Sequence, residues 1–365
     1  MTAKTRLEIS RSALSHNFNF LKSKTGEGVA FMAVVKANGY GTDLLKFAQQ
    51  LEHLGADYLC VAYVSEGVVL RQGGIQLPIL VLHAQVEDLA DAITYRLELA
   101  LYSIDFTQAL INYCQNTSAM VEVHVNINTG LNRLGVRPEE LAAFAKLIQS
   151  SPVLKLKWGM THLIGSEDLA LKAITLQQLD LFEHAVAELE KTLGITLKKH
   201  ALNSSGILNY PTACYDMVRS GIALHGYAND PILDNNLKPI STLYTQISAI
   251  RKVSPGESVS YNRLFIATEE MTVATIPIGH ADGFTRDLGN GKGQVWVGGK
   301  WAKVVGMVCM DLFMVDISSI NAKVGDPVII LGPQSSASSL AKSSNTISYE
   351  LLTGIGSRIP RVFVD

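Results

Sequence analysis

Short apolar runs recur along the first two thirds of the chain, and amphipathic stretches of helical period lie between most of them. The runs are Phe31–Val35, Tyr58–Ala62, Pro78–His83, Leu99–Ser103, Val121–Ile127, Lys157–Leu163, Lys198–Asn203 and Val218–Leu224. Asp43–Leu51, Val86–Ile93, Glu139–Ile148 and Ala170–Leu193 place apolar residues three and four apart, the spacing of one helix face. Strands alternating with helices predict a parallel sheet. Eight such units predict a closed barrel over residues 10–237, against the alternative of an open doubly wound sheet. The seventh run gives the weakest signal, because His200 and two lysines dilute it.

From about Lys238 the pattern changes. Helical periodicity mostly vanishes, and Thr242–Val253, Val259–Ile266, Met271–Ile278, Gly293–Val297, Ala302–Val308, Met314–Ile317 and Pro327–Leu331 read as short strands. Pro255-Gly256, Gly298-Gly299 and Gly325-Asp326 punctuate them as turns. The expected fold class is therefore α/β: an N-terminal (β/α)8 TIM barrel followed by an all-β C-terminal domain over 238–365. Arg6-Leu7-Glu8-Ile9 alternates as a strand does and is expected to bring residues 1–9 into that sheet. The serine-rich stretch Ser335–Asn345 is expected to be a mobile loop.

Composition narrows the partners. The chain has 365 residues, 47% of them apolar, and a formal net charge of -2. That content supports a sizeable core and argues against disorder. The near-neutral balance offers no basic face, so neither nucleic acid nor an anionic membrane surface is an expected partner. No apolar run is long enough to span a bilayer, and no apolar segment follows the charges of the first eight residues. A cytoplasmic location is expected. Cys60, Cys114, Cys214 and Cys309 are scattered without CxxC spacing, and read as reduced core residues; no metal is expected.

A barrel of this kind binds ligands at the C-terminal ends of its strands. Five strand ends here carry cationic or hydrogen-bonding groups: Lys36 after the first, Arg133 after the fifth, His162 at the sixth, Asn203, Ser204 and Ser205 after the seventh, and Arg219, Gly221 and Ile222 at the eighth. Lys36 closes a buried strand and precedes a glycine-flanked turn, Asn38-Gly39-Tyr40-Gly41. Partial desolvation of a lysine favours the neutral amine, which can form a Schiff base with an aldehyde cofactor. Taken alone, such a lysine can equally snorkel to the surface.

Seven segments, in order, remove that ambiguity. They are Ala33-Val34-Val35-Lys36-Ala37-Asn38-Gly39-Tyr40-Gly41, Asn128-Thr129-Gly130-Leu131-Asn132-Arg133-Leu134-Gly135-Val136, Asn203-Ser204, Val218-Arg219-Ser220-Gly221-Ile222, Val259-Ser260-Tyr261, Ile276-Pro277-Ile278-Gly279-His280-Ala281-Asp282-Gly283 and Cys309-Met310-Asp311. Over nearly the whole chain this pattern resembles the alanine racemase family, the fold-type III pyridoxal-phosphate enzymes. The resemblance implies racemisation of alanine with pyridoxal 5'-phosphate, supplying D-alanine for peptidoglycan precursors. It casts Lys36 as the lysine that carries the cofactor covalently and as one catalytic base, and Tyr261 as the other. Tyr40, Asn203, Ser204, Gly221 and Ile222 resemble the family's phosphate side of the cofactor site. Arg219 resembles the arginine facing the pyridine nitrogen, with His200 as its partner, and His162 a residue packed on the ring. Arg133 resembles the arginine near the cofactor's phenolic oxygen and the substrate. Met310, Asp311 and His280 resemble the substrate mouth. The resemblance also implies a head-to-tail homodimer, with Tyr261 reaching the partner's barrel.

Three positions depart from the family pattern. Asn126 stands where many members have a lysine that becomes carbamylated and braces the arginine matching Arg133; a small bound anion or a direct Asn126–Arg133 hydrogen bond is expected instead. His280 replaces a tyrosine at the mouth, and Ser357 a tyrosine that contacts phosphate. These changes leave a serine or broad-specificity racemase as the alternative to an alanine racemase. A related decarboxylase would want a carboxylate in place of Arg219, and a single-barrel cofactor carrier would lack the β domain that holds Tyr261. A guanidinium keeps its proton and so leaves the pyridine nitrogen largely unprotonated, which weakens the electron sink and disfavours transamination. Arg219→Glu is therefore expected to raise transamination relative to racemisation, measured as pyruvate formed from alanine; an unchanged ratio would contradict this role.

Overall fold

The computed structural model describes residues 4–228 and 230–365, and their contacts divide the chain into two units. One is Phe18–Ala223; the other takes the chain up to Asn17 together with Leu224–Asp365.

The first unit holds eight parallel strands with helices between most of them: Ala30–Val34, Tyr58–Val61, Ile79–Val81, Glu98–Leu101, Val121–Asn126, Leu154–Met160, Lys198–His200 and Met217–Ser220. Each expected run contributes one of them. Most are buried nearly throughout, as strands covered on both faces are, the exceptions being the start of the sixth and the lysines of the seventh. Ladders join neighbours from the seventh strand round to the first and on to the eighth. The seventh and eighth meet through single bonds instead, Asp216 N–H to Lys199 O at 3.1 Å and Arg219 N–H to Leu202 O at 3.0 Å. Three residues is all the strand that the polar seventh run supplies.

The second unit is built on a nine-stranded sheet. Its order is Ala249–Val253, Met271–Ile276, Phe313–Asp316, Lys300–Val305, Gln294–Val297, Pro327–Leu331, Ser241–Gln246, Arg6–Ser10 and Arg361–Val364. The N-terminal strand joins this sheet as expected, antiparallel to Ser241–Gln246 and parallel to Arg361–Val364. Three expectations need correction. Thr242–Val253 is two strands, because Ile247 N–H turns to Asp326 O while Ser248 N–H turns to Thr275 O, so the chain changes neighbours there. Val259–Ile266 is a hairpin: Ser258–Val259 pairs with Phe265–Ile266, and positive φ at Ser260 (70°), Asn262 (59°) and Arg263 (51°) breaks the strand into a 3-10 turn that carries Tyr261. Ser335–Asn345 contains a helix, Ala337–Ser343. Ser336 caps it by accepting from Ser339 N–H, and Ala337, Leu340 and Ala341 bury one face at i, i+3 and i+4.

Lys36 owes its position to a turn of the wrong hand. Ala37, Asn38, Gly39, Tyr40 and Gly41 all have positive φ, between 53° and 83°, which forms one left-handed turn closed by Gly39 N–H to Val35 O and Gly41 N–H to Ala37 O. Each non-glycine residue in this conformation costs about 1–2 kcal/mol. Gly39 must be glycine on a second ground, because a Cβ there would lie 2.8 Å from Thr42 Oγ1 and 3.2 Å from Phe47 Cβ. Several bonds offset the strain. Glu66 accepts Ala37 N–H at 2.6 Å with one oxygen, and Ala62 and Tyr63 N–H with the other. Asn38 Oδ1 accepts Leu44 N–H, and the Thr42 hydroxyl donates to Gly39 O. Glu66→Ala removes three acceptor contacts of a charged group at once, and is expected to lower unfolding free energy by roughly 2–3 kcal/mol. Urea denaturation measures it; a loss below about 0.5 kcal/mol, the level of an ordinary surface change, would show that the turn stands without Glu66.

Candidate active site

Arg219 is the most constrained side chain at the C-terminal end of the barrel. It is 4% exposed. Nη1 donates to His200 Nδ1 at 2.8 Å and to His200 O at 3.0 Å, and Nη2 donates to Thr161 O at 2.7 Å and Ala201 O at 3.0 Å. Burial pulls its pKa down to about 10, which leaves it charged at neutral pH. The expected Arg219–His200 partnership is present. Thr161 is held in turn by its hydroxyl, which donates to Ile127 O and meets Thr129 Oγ1.

The cations of the barrel end act together on one imidazole. His162 is half-buried, and its pKa falls to about 3, first through burial, then through the positive charges of Arg219, Arg133 and Lys36. A neutral ring therefore sits among three cations. Lys36 is half-buried and Arg133 exposed. Cys60, fully buried, also faces Lys36 and Arg219; burial nonetheless pushes its thiol up to about 12, so it is an inert core residue.

A second cluster lies where the ends of the seventh and eighth strands meet the left-handed turn. Ser204 Oγ accepts N–H groups from Gly221 at 3.0 Å and Ala223 at 3.3 Å, and lies 3.1 Å from Ser220 Oγ. Gly221 approaches Tyr40 so closely that a Cβ would lie 2.2 Å from the phenolic oxygen. Ile222 opens a 3-10 turn whose first N–H groups have no acceptor within the turn. Asn203 is committed elsewhere: its Oδ1 accepts Gly206 N–H and the Ser166 hydroxyl. Two hydroxyls and several N–H groups converging without a carboxylate suit a phosphate dianion. The donor set thus fits the phosphate of pyridoxal phosphate, and Tyr40, its member four residues from Lys36 on the same turn, fits a cofactor anchored at both ends.

The remaining candidates belong to the β unit. His280 N–H and Ala281 N–H donate to Cys309 O and Met310 O, so the segments carrying His280, Met310 and Asp311 lie side by side. Ser260 donates to Met307 O, which ties the Tyr261 turn to the same strand connection. Tyr261 itself is 62% exposed, and Met310, Asp311 and His280 are exposed as well. Arg358 links Asp282 at 2.6 Å and Asp311 at 2.7 Å. The sequence reading passed over it in favour of its neighbour Ser357, although an arginine amid Gly356-Ser357-Arg358-Ile359-Pro360 was open to notice. Glu66 was also missed; its signal was a glutamate three residues into a helix, where it reaches back to the chain entering that helix. No Asn126–Arg133 hydrogen bond forms, which removes that expectation: Asn126 ends the fifth strand, with its carbonyl taken by Val136 N–H, while Arg133 projects from the exposed loop beyond. Among the described residues, no group of three or more His, Cys, Asp or Glu side chains is placed to hold a metal, and no helix is long and apolar enough to cross a membrane.

Comparison with known proteins accounts for both units. Residues 9–229 match the family model described as "Alanine racemase, N-terminal domain", and residues 240–363 match "Alanine racemase, C-terminal domain". The alanine racemase of Desulfovibrio desulfuricans is 38% identical over 98% of this chain and 97% of that protein. That of Halothermothrix orenii is 36% identical over 100% of this chain and 97% of its own length. Among solved structures, the Clostridium difficile alanine racemase superposes with a TM-score of 0.93 at 34% identity, covering 100% of this chain and 96% of that one. The Bacillus anthracis enzyme with bound L-Ala-P gives 0.93 at 30% identity, with the same coverage. The chain belongs to the alanine racemase family.

Proposed function

We propose that the chain interconverts L- and D-alanine with pyridoxal 5'-phosphate, in a cytoplasmic homodimer. In this reading residues 10–237 form the cofactor-binding barrel, and residues 238–365 with 1–9 form a domain that serves the partner's site. The observation that carries the proposal is Lys36 and Tyr40 on one left-handed turn, with the Ser204–Gly221 donor cluster against Tyr40. Lys36 holds the cofactor covalently. Tyr40, Ser204, Gly221 and Ile222 bind its phosphate, with Asn203 bracing the segment that presents Ser204. His162 packs on the ring as a neutral imidazole. Arg219 meets the pyridine nitrogen and Arg133 the phenolic oxygen and the substrate.

When bound, the cofactor supplies an electron sink that acidifies Cα–H of the amino acid. Racemisation then needs a proton removed from one face of Cα and returned to the other, and one base on each face is the simplest device. Lys36 Nζ, once released from the cofactor as a free amine, would serve one face, and Tyr261 Oη of a second copy would serve the other. Arg219 donates a hydrogen bond but keeps its protons, since a guanidinium near pKa 10 stays charged at neutral pH. The exposed apolar side chains of Leu264, Ile266, Met310 and Leu312, in segments that flank the Tyr261 turn and carry Asp311, support a partner-facing surface on the β unit. Met310, Asp311 and His280 line the mouth in this reading, and Arg358 fixes Asp311 there.

Chiral analysis of cofactor-loaded protein given L-alanine, L-serine and larger L-amino acids separately tests the proposal. D-alanine is the expected dominant product. D-serine or larger D-isomers at comparable rates would mean that Asn126 and His280 have widened the pocket. No D-isomer from any substrate would overturn the assignment. Tyr261→Phe is expected to slow the two directions with unequal loss of solvent-isotope exchange at Cα. Equal loss in both directions would replace two bases with one.

A further inference from the structure

A line of four buried polar side chains runs through the barrel interior, a space that branched apolar residues ordinarily fill. Glu98 opens the fourth strand, at its N-terminal end; His124 is on the fifth, His200 on the seventh and Arg219 on the eighth. Glu98 Oε2 lies 2.8 Å from His124 Nε2, His124 Nδ1 lies 2.9 Å from His200 Nε2, and His200 Nδ1 lies 2.8 Å from Arg219 Nη1. Trp158 on the sixth strand bridges the gap in the circle: it stacks on His124 at 5.6 Å and 13°, and meets His200 edge-on at 5.5 Å. Both imidazoles are 0% exposed and Glu98 is 8% exposed. Met32, Cys60, Leu80, Ala100, Met160 and Met217 form the apolar packing of this core with Trp158.

The two ends of the line dictate where its protons sit. A guanidinium only donates and a carboxylate only accepts. His200 Nδ1 must therefore accept from Arg219, which leaves its proton on Nε2. That proton points at His124 Nδ1, so the His124 proton is also on Nε2 and is donated to Glu98. Every junction is satisfied in one direction. A charged imidazolium at either position would set N–H against N–H. The direction of the pKa shifts agrees: burial holds His124 below its ordinary value against the opposing pull of Glu98, and His200 well below it, with the Arg219 charge adding to the lowering of both. Arg219, by contrast, has no carboxylate at ion-pair distance among the described residues; besides His200 Nδ1 it touches only carbonyl oxygens. A buried cation without a counter-charge is expensive. Other titratable groups facing the line are Arg71, whose charge interacts with Glu98, and Tyr58, Cys60, Glu122, Lys36 and His162, and none of them is a link in it.

We infer that Glu98 is the counter-anion of Arg219, conveyed through His124 and His200 held as neutral Nε2–H tautomers, so that Glu98 and His124 position an active-site group from the opposite end of the barrel. The tautomer order stands on geometry alone. The effect on catalysis rests on the proposal that Arg219 faces the cofactor's pyridine nitrogen.

Two measurements test the inference separately. The first is 15N NMR of histidine-labelled, cofactor-free protein, with signals assigned through His124→Asn and His200→Asn variants. Both rings are expected as neutral Nε2–H forms that do not titrate between about pH 5 and 8, the range in which an ordinary histidine changes charge. An Nδ1–H ring or an imidazolium at either position overturns the tautomer order, whatever the enzyme's substrate. The second is Glu98→Gln, which keeps the acceptor oxygen and removes the charge. In the cofactor-loaded enzyme it is expected to lower kcat roughly tenfold, by analogy with loss of the outer partner of a metal-bound imidazole, with KM for alanine little changed. The pH at which the visible band of the bound cofactor changes is expected to move, and Glu98→Asp to recover part of that shift. Wild-type kcat and an unmoved spectral titration in Glu98→Gln would overturn the role of Glu98. Failure of the wild-type enzyme to racemise any amino acid would instead strike the proposed function and leave the NMR result to decide the tautomers.

Discussion

The barrel unit depends on one buried guanidinium. The seventh strand is only three residues long and makes no ladder with the eighth, so the circle of strands has a seam. Arg219 spans it: its backbone N–H reaches Leu202 O, and its side chain ties the ends of the sixth and seventh strands through Thr161 O, His200 O and Ala201 O. Four charge-assisted hydrogen bonds of a group that never competes for protons at neutral pH make a rigid closure. A lysine in its place would lose the planar fork that serves three carbonyls and an imidazole at once.

That closure and the left-handed turn after the first strand are two halves of one arrangement. The first and eighth strands are neighbours, with Met32 opposite Arg219 and Ala33 opposite Ser220. Any shift at the seam therefore moves the strand that presents Lys36. The turn in turn places Tyr40 against Gly221, so the proposed phosphate cradle is assembled from segments far apart in sequence but fixed by adjacent strands. Strain is concentrated where Lys36 must be aimed, and the Glu66 carboxylate offsets it from the second strand–helix connection.

Much of this was legible in the amino-acid sequence. Continuous apolar runs separated by period-3.6 stretches located all eight barrel strands, and the loss of helical period marked the change to β structure near residue 238, because burial on one face or both leaves a direct trace in residue order. The polar seventh run, read as the weakest, gives a strand of only three residues, a length shared in the barrel by Ile79–Val81 alone. What failed depended on backbone conformation or on distant partners. Strand periodicity across 259–266 hid three positive-φ residues, and serine content between 335 and 345 masked an i, i+3, i+4 buried face with a serine cap. The handedness of the turn at Ala37–Gly41 was equally silent, since alanine and tyrosine carry no sign of a left-handed backbone. Most candidate site residues of the barrel converge as the strand-end rule anticipates. Glu98 and His124 were passed over, because a glutamate and a histidine in runs of apolar residues announce nothing until the barrel brings their side chains together.

The central claim is that Lys36 holds the cofactor, and it can be measured directly. Protein incubated with pyridoxal phosphate, reduced with borohydride and digested with trypsin is predicted to yield residues 25–46 as one modified peptide, because a derivatised Lys36 blocks cleavage between Lys24 and Lys46. Reduction fixed on any other lysine, with cleavage at Lys36 intact, would contradict the account.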